Sequence, residues 1–276
     1  MADALYIIAK APRVGHAKTR LGRVTGHEAA VTLYRAFLQD LAVRFANTHW
    51  ECGWYVTPPD AWDDISPLVS CGRAVRMLYQ NEGNLTERQR EFFRGAAARG
   101  EERVVLIASD SPHLTVEVVA QAFSELDRSD LVFGPTYDGG YYLIGMRGWH
   151  DVFHDVPMST ATVLGDVVAQ AERAGLTVGW VETTFDIDEA EDIAHLRPLA
   201  EQRSDLSATR AALQELGLYG DGGRAKIEPN PNRPIAEHSD DGAASTGWDA
   251  ESREPRGGSA NGPEVEQPGA RREEPT

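Results

Sequence analysis

The chain has 276 residues, 41% of them hydrophobic, which is enough apolar material for one sizeable core with at most a small appendage. Forty-three acidic against 27 basic side chains leave a formal net charge of -16, which argues against nonspecific nucleic-acid binding because most of the surface would repel a polyanion. Cys52 and Cys71 form neither a disulfide framework nor a zinc spacing, and the opening apolar run ALYIIA is too short to span a membrane. A soluble, cytoplasmic protein is expected, with no nucleic-acid or membrane partner.

In chain order, ALYIIAK predicts a strand, GHEAAVTLYRAFLQDLAVRFA a helix, and WECGWYVTP and AVRMLYQ two further strands. LTERQREFFRGAAARG predicts a helix, RVVLIASD a strand and TVEVVAQAFSELD a helix. DLVFGPTYD and YYLIGM predict strands, STATVLGDVVAQAERAG a helix, TVGWVETTFDID a strand, and helices follow to about Leu218. This alternation predicts an α/β fold with a mostly parallel sheet covered on both faces. In the first long helix Ala30, Leu33, Tyr34, Phe37, Leu41 and Phe45 recur at three-to-four spacing and read as a core-facing stripe. From roughly Gly220 the chain turns rich in Gly, Pro and charge. Residues 220–276 therefore predict a disordered polar tail behind a folded unit at 1–219.

The stretch AKAPRVGHAKTRLGR, Ala9 to Arg23, carries five cations, and no Asp or Glu occurs from Ala4 to His27. Gly15 allows backbone approach, while Lys18, Thr19 and Arg20 offer a point charge, a hydroxyl and a planar fork suited to phosphate oxygens. The alternative is a solvated basic turn, with Arg13 and Arg23 as bystanders. GHAKT lacks the glycines of a P-loop, and no GxGxxG follows the first strand. In open α/β sheets ligands bind beyond the carboxyl ends of strands, which draws attention to Asp110 and Asp188. Each alone would serve as a turn or helix cap, but together they are suited to a hard cation completed by water and substrate phosphate. His150 and His154 have a metal-like spacing in a polar loop, His113 follows SDSP as a lone histidine, and Tyr141 and Tyr142 read first as strand packing.

AKAPRVGHAKTRL, GNLTERQREFF, IASDSPHL, GPTYDGGYYLIG and FDIDEAEDI, in that order from Met1 to about Leu218, resemble a family in the nucleotide-diphospho-sugar transferase superfamily, usually labelled glycosyltransferases. More distantly they resemble phospholactate guanylyltransferase and the molybdenum-cofactor nucleotidyltransferases. The resemblance implies a three-layer, Rossmann-like GT-A fold with a mostly parallel mixed sheet. It implies a phosphate-gripping loop at Lys18 and Arg20 with Lys10 beside them, and Mg2+ or Mn2+ held by Asp110 and Asp188, with Asp186 as a second distal aspartate. It also implies that Gly83, Asn84 and Leu85 approach the nucleotide base and that Asp138, Gly139 and Gly140 line the acceptor side. Asn84 stands where the family often has Asp, and Met158 where it often has Trp before a Ser-Thr pair.

Three functions follow as expectations. The first is nucleotidyl transfer from a nucleoside triphosphate to a small acceptor phosphate or hydroxyl, with pyrophosphate released while Lys18, Arg20 and Asp110 stabilise charge. The cationic loop suits a triphosphate tail, and Asp110-Ser111-Pro112 lacks the Asp-any-Asp pair common in sugar-donor enzymes. The second is glycosyl transfer from a nucleotide-diphosphate sugar. The third is a nucleotide-binding module without chemistry.

Overall fold

Apolar side chains alternate along the first strand so that Leu5, Ile7 and Ala9 enter one core while Ala4 and Tyr6 enter another. That period of two places a layer of helices on each side of the sheet. The computed structural model describes residues 3–71, 75–157 and 160–218. In chain order its elements are β1 (Asp3–Lys10), α1 (Thr19–Thr25), α2 (His27–Phe45), β2 (Glu51–Thr57), α3 (Trp62–Val69), β3 (Arg76–Tyr79) and α4 (Leu85–Ala98). There follow β4 (Arg103–Ala108), α5 (Val116–Glu125), β5 (Leu131–Pro135), β6 (Tyr141–Arg147), α6 (Val163–Arg173), β7 (Val178–Trp180), α7 (Ile193–Gln202) and α8 (Ser207–Glu215).

Among the described residues the seven strands lie in the order β3-β2-β1-β4-β6-β5-β7, and β6 alone runs antiparallel to its neighbours. The sheet is therefore mixed but mostly parallel, in three layers, as expected. One core gathers α2, α3, α5, α7 and α8, and the other gathers α4 and α6. From β1 the chain builds outward through β2 and β3, then returns to place β4 on the opposite side of β1. The carboxyl ends of β1 and β4 thus flank a topological switch point, where the twisted sheet opens a crevice.

Three segments depart from the sequence reading. TRLGRVT, expected as loop, is the short helix α1, whose Leu21 is fully buried; seven residues are too few for a clear period. WDDISPLV forms α3 despite Pro67, because Ile65 and Val69 share a buried face. The predicted strand over TVGWVETTFDID pairs only at Val178–Trp180, with one further bridge between Thr136 and Thr184, and beyond it the chain leaves the sheet toward Asp186 and Asp188. No helix among the described residues is long and apolar enough to cross a membrane. The polar tail predicted at 220–276, and Met158, lie outside the described residues.

Candidate functional site

Lys18 caps the start of α1 with φ 49° and ψ 45°, a left-handed conformation that costs a non-glycine residue energy and persists only when surroundings enforce it. Here the side chain explains the backbone. Its ammonium donates to Ile187 O at 2.7 Å and lies 2.6 Å from Asp110 Oδ1 and 3.1 Å from Asp188 Oδ1, with the side chain only 4% exposed. Burial works against the charge, but Asp110 and Asp188 outweigh it and hold the ammonium above its ordinary range. Arg20 points from the same helix, 4.0 Å from Asp188 Oδ2 and 64% exposed, so its guanidinium stays open to a ligand.

The two aspartates are brought together by stitching between SDSP and FDID. Ile187 N donates to Asp110 O, Ser111 Oγ donates to Phe185 O, and His113 Nε2 pairs with Thr184 Oγ1 while its ring stacks on Phe185. Asp192, 2% exposed, accepts the backbone N–H of both Asp188 and Glu189 on Oδ2, at 2.9 and 2.7 Å, which fixes the turn that aims Asp188. Behind Lys18, the Tyr34 hydroxyl accepts from Lys10 N at 3.1 Å and pairs with Ser109 Oγ at 2.9 Å, tying the ends of β1 and β4 to α2. Burial, then Asp110, pushes this phenol up to about 12, so it stays protonated.

Lys18, Arg20, Tyr34, Ser109, Asp110 and Asp188 border one cavity of about 480 Å3, lined also by Lys10, Thr19, Leu85, Asp138, Gly140 and Asp186. Burial, reinforced by Asp188, Asp138 and Asp110, pushes the Asp186 carboxyl up to about 7. Across the cavity the β5–β6 turn is set by Asp138, whose Oδ1 accepts from Thr136 Oγ1 at 2.5 Å and Gly140 N at 3.2 Å. Gly139, at φ +87°, is required there: a Cβ would sit 2.0 Å from Ala161 O.

Of the expected site residues, Lys10, Lys18, Thr19, Arg20, Leu85, Asp110, Asp138, Gly140, Asp186 and Asp188 line the cavity, whereas Gly15, Gly83, Asn84 and Gly139 do not. Gly15 takes φ +75° in the loop before Lys18. Asn84 spends its side chain on the start of α4, accepting from Glu87 N while the Glu87 carboxylate accepts from Asn84 N. Arg13 pairs with Asp60 and Asp64, which anchors the loop to α3. His150 Nε2 pairs with Arg147 O and His154 with Asp155, so the two histidines turn to different partners. Tyr34, Tyr141 and Asp192 were not legible as site residues. Tyr34 sits on the apolar stripe of α2, Tyr141 fits strand packing, and Asp192 fits an ordinary helix start.

Asp110 and Asp188 offer only oxygen donors and share a single ammonium in a carboxylate-rich wall, which fits a hard divalent cation. No group of three or more His, Cys, Asp or Glu side chains among the described residues is arranged to hold an ion.

A family model described as "Uncharacterized protein conserved in bacteria (DUF2064)" matches residues 38–160. The crystal structure of a Desulfovibrio desulfuricans G20 protein, provisionally named a nucleotide-diphospho-sugar transferase, is 30% identical with a TM-score of 0.71, over 79% of this chain and 99% of that one. The chain belongs to the DUF2064 family. The three-layer fold of this DUF2064 chain also matches 4-diphosphocytidyl-2C-methyl-D-erythritol synthase from Anaerococcus prevotii, at 12% identity and a TM-score of 0.50, over 73% and 96% of the two chains. At that identity the likeness is one of fold. The curated proteins include no match to the chain.

Proposed function

We propose that this DUF2064 protein is a metal-dependent transferase that moves a nucleotidyl group from a nucleoside triphosphate to a small acceptor. Its fold and the provisional transferase name of its Desulfovibrio relative support the general class. The observation that carries the finer reading is the apposition, in one cavity, of Lys18 and Arg20 on the α1 side with Asp110 and Asp188 on the other. Cations on one wall suit a polyphosphate. Carboxylates on the other suit the hard ion that accompanies it.

Arg20 grips the phosphate tail, Lys18 reaches it by exchanging one of its present partners, and Tyr34 keeps the Lys18 loop in register with Asp110 through Lys10 and Ser109. Asp110 and Asp188 would hold Mg2+ or Mn2+, with Asp186 beside them; when bound, that ion neutralises charge on phosphate oxygens. The acceptor oxygen forms a bond to the α-phosphorus and the bond from that phosphorus to the bridging oxygen breaks. The electron pair leaves with pyrophosphate, and the acceptor proton passes to solvent. Lys18 and Arg20 offset the charge that develops on the leaving group.

A second reading, glycosyl transfer from a nucleotide-diphosphate sugar, is favoured by the name of the Desulfovibrio relative. A binding panel with Mg2+ or Mn2+ separates the two, comparing the four nucleoside triphosphates with common nucleotide-diphosphate sugars by calorimetry. Tighter binding of a triphosphate is expected. Preference for a diphospho-sugar would reverse the order.

A further inference from the structure

Between the end of β4 and the start of α5, the backbone from Asp110 to Leu114 belongs to no strand or helix, and Ser111 to Leu114 are buried. Each carbonyl there therefore needs a partner of its own. Ile187 N donates to Asp110 O at 2.9 Å, and Leu114 N donates to Ser111 O at 3.1 Å. Guanidinium groups take the next three. Arg44 Nη1 donates to both Pro112 O and Leu114 O, and Arg203 Nη1 donates to His113 O.

The two arginines are joined by Asp205, in the 3-10 turn Ser204–Leu206 between α7 and α8. Arg44 Nε donates to Asp205 Oδ2 at 2.6 Å, and Arg203 donates through Nε and Nη2 to Asp205 Oδ1 and Oδ2 at 3.0 and 2.7 Å. Arg44 Nη2 also donates to Asp205 O at 2.8 Å. The Arg44 side chain is only 4% exposed, and a buried charge is tolerated only with such a set of acceptors. A planar fork supplies donors to several oxygens at once, which a lysine ammonium on a flexible stem does not.

Neither arginine lines the cavity, so both act through the turn. That turn begins at Asp110 and also holds the segment bearing Asp188, through Asp110 O, Ser111 Oγ and His113 Nε2. Displacement of the Pro112–Leu114 carbonyls is therefore passed to both aspartates.

We propose that Arg44, braced by Asp205 and Arg203, is a positioning residue for the ion-holding pair Asp110 and Asp188. This rests on the metal-and-phosphate reading of the cavity.

Asp40 provides the control. It lies one turn earlier on α2, is 3% exposed, and accepts Ala208 N and Thr209 N at 2.9 and 2.8 Å, so Asp40→Ala loosens α8 rather than the turn. The full chain and its Arg44→Met, Arg44→Lys and Asp40→Ala variants are titrated with preformed Mn2+–pyrophosphate by calorimetry. The EPR spectrum of the bound Mn2+ is recorded at saturation. Both Arg44 variants should bind at least about tenfold more weakly, the scale on which metal sites respond to loss of an outer hydrogen-bond partner, and their Mn2+ spectra should differ from the parent's. Asp40→Ala should stay within about twofold and keep the parental spectrum while urea unfolding shows it to be less stable. Arg44→Lys keeps the charge and the stem, and it decides the matter if Arg44→Met does not fold. Parental affinity and spectrum in Arg44→Lys, or equal losses in Arg44→Lys and Asp40→Ala, overturn the proposal. Failure of the parent chain to bind the complex would instead remove the reading of the cavity, and the proposal with it.

Discussion

Lys18 Nζ lies 2.6 Å from Asp110 Oδ1, and this contact joins the loop after β1 to the turn after β4 across the switch point of the sheet. Lys18→Met removes the ammonium and leaves Asp110 and Asp188 facing each other. Breaking a fully buried pair costs about 3–5 kcal/mol. Asp110 is 38% and Asp188 32% exposed, so solvent screening lowers the expected loss to about 1–3 kcal/mol. Urea unfolding would measure that loss, and calorimetry should show at least about tenfold weaker triphosphate binding, the scale of one lost charge-assisted contact. Unchanged binding would make the loop a structural element only.

Asp110→Ala should lower turnover by at least about 100-fold, the scale seen when one electrostatic stabiliser is lost. The rate is read by pyrophosphate release once a donor and acceptor pair is in hand. Near-normal turnover would take Asp110 out of the ion-holding pair.

Asp186 supplies a pH dependence of stability. Its folded carboxyl is pushed up to about 7 from an ordinary 3.8, so between those values the folded state holds a proton that the unfolded state has lost. Stability should therefore fall as pH rises from about 4 to about 7 and level off above, and Asp186→Asn should remove that slope. At pH 8 the variant should be more stable than the parent by up to about 3 kcal/mol, allowing for screening. Thermal melts at several pH values, without divalent ions, decide it; a variant with the parental slope would show that another group titrates.

Asp192→Ala strips Asp188 N and Glu189 N of their acceptor, at a cost of about 1 kcal/mol for part-buried donors that water can reach. Donor affinity should fall as well, because the turn that aims Asp188 is released. Asp192→Asn keeps an accepting oxygen and should recover most of both. If Asn behaves like Ala in both measurements, the carboxylate charge matters rather than the turn.

The sequence by itself determined the strands, most of the long helices and the layering, because periods of two and three-to-four are written in side-chain polarity and need no long-range information. It also singled out Lys18, Arg20, Asp110 and Asp188, since unlike charges at strand ends are costly to leave unexplained in an α/β chain. Short α1, Pro-bearing α3 and the early end of β7 were decided by burial against elements distant in sequence. Only tertiary structure revealed that Lys18 lies between two aspartates 92 and 170 residues away in the chain, Asp110 and Asp188. The same holds for Tyr34, whose hydroxyl leaves an apolar stripe to bind two strand ends, and for Asp192, whose carboxylate turns back onto Asp188. Local patterning records which way a side chain faces, while the partner it meets there depends on where the sheet brings distant segments.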